Sequence, residues 1–531
     1  MPKYVSWIAI ALFALAALLP LIFMVAGSLV VDGRVSLSNY RTLLSDSGQR
    51  ALLFNSVLLA FGVALGACLI GAPLAFLLQR TDLVFKNYLR YAYLLTLLIP
   101  PYMSAVAWIH RLGRYQWLNQ FFVNMLGKDE AVLSVYNLPA AIFVLTLYYF
   151  PFITLMVESG LQTMNHRLEE AGSLCASPAT VLRRITLPLI YPYLASGAIF
   201  VFIFAITEYG VPALLGLNVY TVVIFAHFSA YYNEAAATAS AMPLVAITVT
   251  LVVLQRQLMG NRSYVTMESH TAHPSRIRLG KWQGLGLTFS LCIISLSVVV
   301  PIVDLLIGAG SLSTYQVALK TAERQIISSF LLSAVAATLI VILALFIAYF
   351  IEKSPGRGGS TIDLLTVLPF AFPATVLGIG LIKTWNRPLT QFIYGTYGII
   401  VIALIARFIP FTIRVISSTL KSLSKNLEEA AGLSEPRWTR NFWKILVPLS
   451  RPGLIAGWVI AFILSSGEIG ATLLVAPPGE ATLPIRIHTL LHYGASKIVC
   501  ALCVIAIIMT FLPVAILVSC LRRLRKFEGY V

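Results

Sequence analysis

The sequence predicts an all-α integral membrane protein with about twelve transmembrane helices, arranged as two homologous six-helix halves. The first observation is composition: of 531 residues, 59% are hydrophobic and 11% are charged, and the mean hydropathy is +0.86. Soluble domains carry roughly 25% charged residues. The second is a succession of apolar stretches of about 20 residues, the length that a helix needs to cross a bilayer. The third is that landmarks of the first half return in the second.

The apolar stretches set the order of the helices. The first follows Lys3 and exceeds the roughly 7 to 15 apolar residues of a signal peptide, so we interpret it as a retained anchor helix. Prolines interrupt the third and ninth stretches, which predicts kinks there. The candidate spans, with ends uncertain by ~2 to 4 residues, are 5–31, 52–78, 91–109, 138–157, 191–215, 235–254, 284–307, 326–351, 362–382, 397–416, 452–476 and 498–520.

The distribution of basic residues predicts the orientation. An even number of spans places both termini on one side of the membrane. The tails and the loops on that side carry about 24 of the 38 Lys and Arg residues, against about 12 on the other, which marks it as cytoplasmic. The net charge of +17 is scattered over loops without interleaved aromatic residues, so nucleic-acid binding is not indicated.

The repeat divides the chain into residues 1–255 and 284–531, joined by a polar, basic linker at 256–283. Phe150-Pro151-Phe152 returns as Ile409-Pro410-Phe411, 259 positions later. Thr207 to Gly210 (TEYG) returns as Gly467 to Gly470 (GEIG), 260 positions later. Duplication of this kind is common in transporters, where it builds a pathway at the interface of two related halves.

The most informative repeat is a polar segment that occurs once in each half. It reads EEAGSLCASPATVLRRITLP at 169–188 and EAAGLSEPRWTRNFWKILVP at 429–448, and both copies fall on the predicted cytoplasmic side. Acidic residues come early and basic residues late, as the helix dipole favours, and a proline begins the next span. The pattern predicts a short amphipathic helix, a break and a basic turn. One interpretation is a basic helix anchored to anionic lipid; the other is a pair of docking sites.

These segments resemble the EAA loop of permease subunits of binding-protein-dependent ABC importers. That loop reads Glu-Ala-Ala, three residues, Gly, nine residues, Ile-x-Leu-Pro. Either Glu169 or Glu170 corresponds to the motif glutamate in the first copy, and the upstream landmarks favour Glu170. The family's glycine is replaced by Cys175 and Glu435, which puts the sharpness of the turn in question because neither residue favours positive φ. The matching positions are Glu169, Glu170, Ala171, Cys175, Ile185 and Pro188 in the first copy and Glu429, Ala430, Ala431, Glu435, Ile445 and Pro448 in the second.

The resemblance covers essentially the whole chain and implies the type I ABC importer permease fold. It implies a bacterial inner (plasma) membrane location, an extracytoplasmic substrate-binding protein as partner, and two copies of an ABC ATPase subunit, one for each loop. The partner subunits would use ATP and Mg. No cofactor is expected on this chain, and no phosphate-binding loop occurs in it: Gly127-Lys128 is followed by Asp129.

Two carboxylates are candidates for the translocation path. Glu208 and Glu468 lie about 20 residues after the loop prolines, so they are predicted within apolar helices near the outer end. With Gly210 and Gly470 they would line the path or latch a gate; the alternative is a structural carboxylate. Arg407 and Arg414 are possible ion-pair partners.

The resemblance to fused, two-module permeases favours ferric iron as cargo, with thiamine, phosphonate or polyamine as alternatives. A secondary, ion-coupled transporter is the competing class. We assign neither catalytic residues nor a metal site. His488 and His492 have the i, i+4 spacing of metal ligands but no adjacent carboxylate, and Cys500 and Cys503 fall in an apolar helix.

Overall fold

A computed structural model describes residues 3–31, 34–113, 119, 124–125, 134–164, 166–259, 277–354, 356–422, 438–494 and 496–528. Within them the regular secondary structure is helical apart from a short hairpin of β1 (Val30–Val31) and β2 (Arg34–Val35) and an isolated bridge between Thr81 and Ile277. The helices are α1 (Tyr4–Ser28), α2 (Ser38–Ser45), α3 (Ser47–Arg80), α4 (Lys86–Leu98), α5 (Pro101–Leu112), α6 (Leu138–Thr163), α7 (His166–Cys175), α8 (Leu182–Ile206), α9 (Gly210–Leu214), α10 (Tyr220–Ser229), α11 (Glu234–Met259), α12 (Gly280–Ala309), α13 (Leu312–Lys353), α14 (Arg357–Ala371), α15 (Ala374–Trp385), α16 (Gly398–Ser422), α17 (Thr439–Ser466), α18 (Thr472–Val475), α19 (Leu483–His492) and α20 (Ser496–Glu528).

Ten helices in the described residues are long and apolar enough to cross a membrane, or twelve if each sharply bent pair is one span. The bent pairs are α4 with α5, at 92°, and α14 with α15, at 106°. Pro101 lies at the first position of α5, and Pro373 directly precedes α15, so the chain turns where proline lacks the N–H that a continuous helix requires. The expected kinks are therefore breaks. The expectation of about twelve spans in an all-α protein is confirmed.

Prolines also explain four wide turns within the long helices. π-helical turns occupy Ala14–Leu18, Leu182–Thr186, Ser295–Val299 and Phe442–Leu446. Each lies two residues before a proline: Pro20, Pro188, Pro301 and Pro448. A proline ring clashes with the carbonyl four residues earlier, and widening the preceding turn relieves that clash. The turns form two pairs, separated by 295 − 14 = 281 and 442 − 182 = 260 positions, so the duplication extends to backbone irregularities.

The chain forms two compact units, and their boundaries differ from those of the sequence repeat. Unit 1 comprises residues 1–45, 223–245 and 309–531; unit 2 comprises 46–222 and 246–308. Each unit thus contains the first helix of the other half. The module limits at 255 and 284 remain a prediction about the repeat itself.

In unit 2, α3 and α6 pack along much of their length and α8 packs against both. Small residues permit the close approach: a Cβ on Gly66 would lie 2.7 Å from Thr146 Oγ1 of α6. The exchanged helix α12 packs against α3 and α4. Its buried Asp304 pairs with two side chains at the end of α5: His110, through Nδ1 at 2.7 Å, and Arg111, through Nη1 at 3.5 Å.

In unit 1, α13, α16 and α17 form the central group and α20 packs beside them. The exchanged helix α1 packs against α13 and α15. The closest approach is at Gly380 of α15, where an added Cβ would lie 2.5 Å from the backbone oxygen of Pro20. Lys383 of the same helix lies over Gly27 of α1 and pairs with Glu234 Oε2 at 3.2 Å.

The contact between α1 and α15 can be tested with a pair of glycine variants. Gly380→Ala should destabilise the protein by roughly 1 to 3 kcal/mol, because the obstructing atom is backbone and cannot rotate away. Gly358→Ala is the matched control, since a Cβ there meets nothing within 4 Å. Thermal unfolding of both variants in lipid nanodiscs provides the measurement. Equal unfolding temperatures would show that α1 does not approach α15 this closely.

Candidate functional site

The first polar loop folds as two helical pieces joined by a tight turn. Helix α7 ends at Cys175, and the amide of Ala176 still donates to Gly172 O at 3.0 Å. A second helical stretch begins at Pro178 and leads into α8. Among described residues, Phe85 and Tyr232 are the non-glycine residues with positive φ, so Cys175 makes the turn without it. The question that Cys175 raised for the first loop is thereby answered.

One ion pair fixes this loop to the end of a long helix. Glu169 Oε2 lies 2.7 Å from Nη2 of Arg80, the last residue of α3, and the Arg80 side chain is only 3% exposed. Thr186 Oγ1 donates to the other carboxylate oxygen at 2.6 Å. The backbone oxygen of Arg80 also accepts from the amide of Ile277 at 2.9 Å, so the chain just before α12 meets the same point.

The two halves of the loop pack closely on each other. A Cβ on Gly172 would lie 2.5 Å from Ile185 Cδ1, so α7 packs closely on the π turn of α8 at this glycine. Ile185 is half-buried, whereas Glu170, Ala171, Cys175 and Pro188 are exposed. The loop therefore presents a firm, solvent-facing surface with a buried anchor.

The geometry distinguishes the two candidate glutamates. Glu169 makes the contacts with Arg80 and Thr186, while Glu170 faces solvent. The Gly172 to Ile185 spacing of 13 residues equals that of Gly432 to Ile445, and in this register Glu169 matches Glu429. This sequence register, together with the contacts of Glu169, favours Glu169, in contrast to the upstream landmarks.

Most of the second polar loop lies outside the described residues, including Glu429, Ala430, Ala431 and Glu435. The structure describes the chain again from residue 438, and α17 begins at Thr439. Ile445 and Pro448 are half-buried in this helix. Ile445 lies in a π turn, as Ile185 does.

The candidate path carboxylates lie beyond the ends of α8 and α17, and the prediction that they are within those helices is wrong. Helix α8 ends at Ile206 and α17 at Ser466. Glu208 Oε1 instead accepts from the amide of Gly210 at 3.0 Å, and Glu468 Oε1 from the amide of Ala471 at 2.8 Å. Each carboxylate thus caps the start of the next short helix, where amides lack backbone partners. An apolar stretch cannot reveal this break, because α9 and α18 are themselves apolar.

The two carboxylates have different environments. Glu468 is 9% exposed, and its Oε2 accepts from Arg407 Nε at 3.1 Å. Glu208 is half-buried, and its Oε2 accepts from Tyr149 Oη at 3.2 Å. The proposed Arg407 partner is therefore confirmed for Glu468, whereas Arg414 pairs with Asp363 at 2.8 Å. Gly210 begins α9, and Gly470 is buried in the turn before α18.

Two polar clusters that the sequence did not predict lie at equivalent ends of α3 and α13. In unit 2, Arg90 contacts Gln79 and lies 3.4 Å from Glu158. In unit 1, Glu352 accepts from Ser417 and lies 3.5 Å from Lys421 Nζ. The available signal was Gln79-Arg80-Thr81, which returns as Glu352-Lys353-Ser354 after 273 positions.

The metal-like spacing of His488 and His492 brings the rings together, with centroids 4.6 Å apart. Burial, with a smaller effect of the His492 charge, lowers the pKa of His488 to about 4, so its imidazole is neutral at neutral pH. Within the described part of the chain, there is no group of three or more His, Cys, Asp or Glu side chains that could hold a metal ion.

The fold and its paired loops are those of a multi-pass membrane permease built from two related modules. The family model for the inner membrane component of binding-protein-dependent transport systems matches residues 3–260 and 340–525. The chain therefore belongs to this family and is the permease of a binding-protein-dependent ABC importer.

Curated relatives differ in how much of the chain they match. It is 26% identical to the ferric transport system permease protein FbpB of Actinobacillus pleuropneumoniae over 80% of this chain and 64% of that protein, slightly less than two thirds of its length. It is 24% identical to the Fe(3+)-transport system permease protein FbpB 2 of Haemophilus influenzae over 92% of this chain and 93% of that protein. The molybdenum transport system permease protein ModB of Escherichia coli (strain K12) is 31% identical over 35% of this chain and 89% of its own.

Replacing either loop glutamate tests which one anchors the loop. Glu169→Gln should destabilise the protein by on the order of 2 kcal/mol, less than the roughly 3 to 5 kcal/mol for breaking a fully buried pair, because this carboxylate is partly exposed. It should also speed proteolysis within residues 166–186. Glu170→Gln is the neighbouring control and should leave both unfolding temperature and cleavage unchanged. If the Glu170 variant were the less stable one, the register through Gly172 would be incorrect.

Proposed function

We propose that this chain is the permease of an ATP-driven importer for ferric iron, taking its substrate from an extracytoplasmic binding protein by alternating access. The observation that carries the proposal is the extent of similarity: permeases named for ferric transport match most of both modules. The molybdenum permease from Escherichia coli, in contrast, matches about one module. Thiamine, phosphonate and polyamine remain alternative cargoes for the same machinery.

The two polar loops are proposed to be the sites where two ABC ATPase subunits dock, one subunit for each loop. The support is mechanical. The first loop has an exposed outer surface, and its buried anchor at Arg80 is the end of a 34-residue helix. A force applied to the loop would therefore reach α3 through the Glu169–Arg80 ion pair and α8 through the close contact of Gly172 with Ile185. ATP and Mg would be bound by the ATPase partners, and both termini would lie on their cytoplasmic side of the inner membrane.

Glu208 and Glu468 are proposed to act near the extracytoplasmic mouth of the path, with Gly210 and Gly470 in the turns beside them. Each carboxylate joins the end of a membrane helix to a short helix that follows it. Movement of α8 or α17 would then carry the short helix with it. In this role the carboxylates hold a gate, and they need not touch the cargo.

Transport measurements test the cargo and the energy source together. Proteoliposomes containing the permease, its ATPase and the ferric-loaded binding protein should accumulate radioactive ferric iron only when MgATP is supplied. Molybdate, sulfate, 2-aminoethylphosphonate, thiamine and polyamines, each offered with the cell's own binding proteins, should not be imported. Import of one of these instead of iron would reassign the cargo, and iron uptake driven by a proton gradient without ATPase would reassign the class.

Loop variants test docking. Glu169→Ala and Glu429→Ala should each halve the amount of ATPase that copurifies with the permease, and the double variant should lose nearly all of it, because each loop is proposed to hold one subunit. Glu323→Ala, which alters an exposed glutamate of α13 outside both loops, is the control. Undiminished ATPase in the double variant would contradict docking at these loops.

Glutamine variants test the gate. Glu208→Gln and Glu468→Gln should lower ATP-driven uptake by on the order of tenfold, equivalent to ~1.4 kcal/mol in the rate-limiting barrier, with copurifying ATPase unchanged. Exposed Glu323→Gln is the control. Because Glu468→Gln leaves Arg407 without its charge partner, the double variant Arg407→Gln/Glu468→Gln separates lost function from lost stability. Normal uptake in both single variants would remove these residues from the mechanism.

A further inference from the structure

A small cavity lies beside Glu468 within unit 1, and most of the residues that line it have polar side chains. It is enclosed by α13, α16, α17, α18 and the first residues of α19. The space open to the centre of a water molecule is about 10 Å³, close to the minimum that one buried water needs. Its polar lining is Ser329, Ser333, Ser465, Ser466, Glu468, Thr472 and Thr482.

Several of these polar groups already have partners. Ser329 Oγ accepts from the amide of Leu483 at 2.6 Å, and Thr472 Oγ1 donates to Glu468 O at 2.9 Å. The hydroxyls of Ser465 and Thr482 have no such partners among the described residues. Both residues are 5% exposed. Burying a hydroxyl without a partner is unfavourable, so two such residues lining one cavity call for a ligand.

The first module contains the same framework without the hydroxyls. Tyr220 N donates to Ser56 Oγ at 2.9 Å, just as Leu483 N donates to Ser329 Oγ. This correspondence pairs Val219 with Thr482, and the 260-residue spacing of Glu208 and Glu468 pairs Ala205 with Ser465. Both Val219 and Ala205 are buried and apolar. The backbone arrangement therefore does not require these hydroxyls, and their presence is particular to the second module.

We propose that this cavity is a binding site for a single water molecule, which bridges Ser465 Oγ at the end of α17 and Thr482 Oγ1 just before α19. A water can donate to one hydroxyl and accept from the other. A cation is disfavoured, because Glu468, the one carboxylate among the described lining residues, already accepts from Arg407 Nε at 3.1 Å and from the amide of Ala471. The bridge would tie the segment before α19 to the helix that ends next to Glu468. The proposal does not depend on the cargo or on the ATPase.

The sign of a stability change tests the proposal. Ser465→Ala and Thr482→Val introduce the residues that the first module carries at these positions. If a water bridges the hydroxyls, each variant removes one of its partners and should lower the unfolding temperature of the full-length protein by about 2 °C or more. The double variant should be little worse than the single ones, because both act through one water.

Ser450→Ala is the matched control. Ser450 lies on the same helix α17, its hydroxyl is also buried without a partner among the described residues, and it does not line the cavity. Removing it should leave the unfolding temperature unchanged or raise it. Thr482→Ser keeps the hydroxyl and should retain most of the stability lost in Thr482→Val, which guards against a purely steric effect of valine.

Two results would overturn the proposal. If Ser465→Ala and Thr482→Val behave like Ser450→Ala, the cavity is dry. If replacing choline by Na⁺ or Li⁺ raises the unfolding temperature of the wild-type protein but not of the Ser465→Ala/Thr482→Val variant, the ligand is a cation.

Discussion

The cost of placing charge within an apolar bundle governs this structure. Unpaired ionised groups cannot be kept inside a membrane protein cheaply, so each has to find a partner where the chain can bring one. Arg80 meets Glu169, Asp304 meets His110, and Arg407 meets Glu468. Every one of these pairs joins elements that are more than 60 residues apart in sequence. Apolar helix faces pack against lipid about as well as against another apolar helix. These few polar contacts therefore contribute much of the specificity with which the helices are arranged.

The sequence was sufficient for the fold class, because the length of apolar stretches and the repeated landmarks are local signals. It was insufficient to locate helix ends where a polar residue lies within an apolar stretch. Glu208 and Glu468 were assigned to helices because the residues around them are hydrophobic, yet their carboxylates satisfy the amides of a new helix start. The role of Arg80 was not predicted, because many membrane helices end in a basic residue at the membrane surface. Only the three-dimensional contact with Glu169 distinguishes Arg80 from them. The motif prolines were recognised as markers, whereas their effect, a π turn two residues upstream, depends on a backbone clash.

The two modules preserve geometry while exchanging chemistry. At the ends of α3 and α13, the carboxylate comes from a different helix in each module. In the first module it is Glu158 of α6, which lies near Arg90 as Gln79 of α3 does. In the second module it is Glu352 of α13, which accepts from Ser417 of α16. At the carboxylates that follow α8 and α17, a tyrosine partners one glutamate and an arginine the other. Such substitutions keep a polar contact at each position but change its charge. A fused chain allows this divergence, since each module is free to vary independently of its copy. The two modules of the permease can therefore use different residues for equivalent contacts.

The exchange of first helices has a consequence for biosynthesis. Helix α1 leaves the ribosome before its packing partner α15, which begins at residue 374, 374 − 28 = 346 residues after α1 ends. At roughly 5 to 20 residues per second, this interval lasts roughly 20 to 70 s. During that time Pro20 and Gly27 of α1 have no α15 against which to pack, so α1 must be tolerated by lipid or held by the insertion machinery. The apolar character of α1 on all its faces suits this waiting period, and the contact between α1 and α15 can form only after the chain has been translated through residue 385.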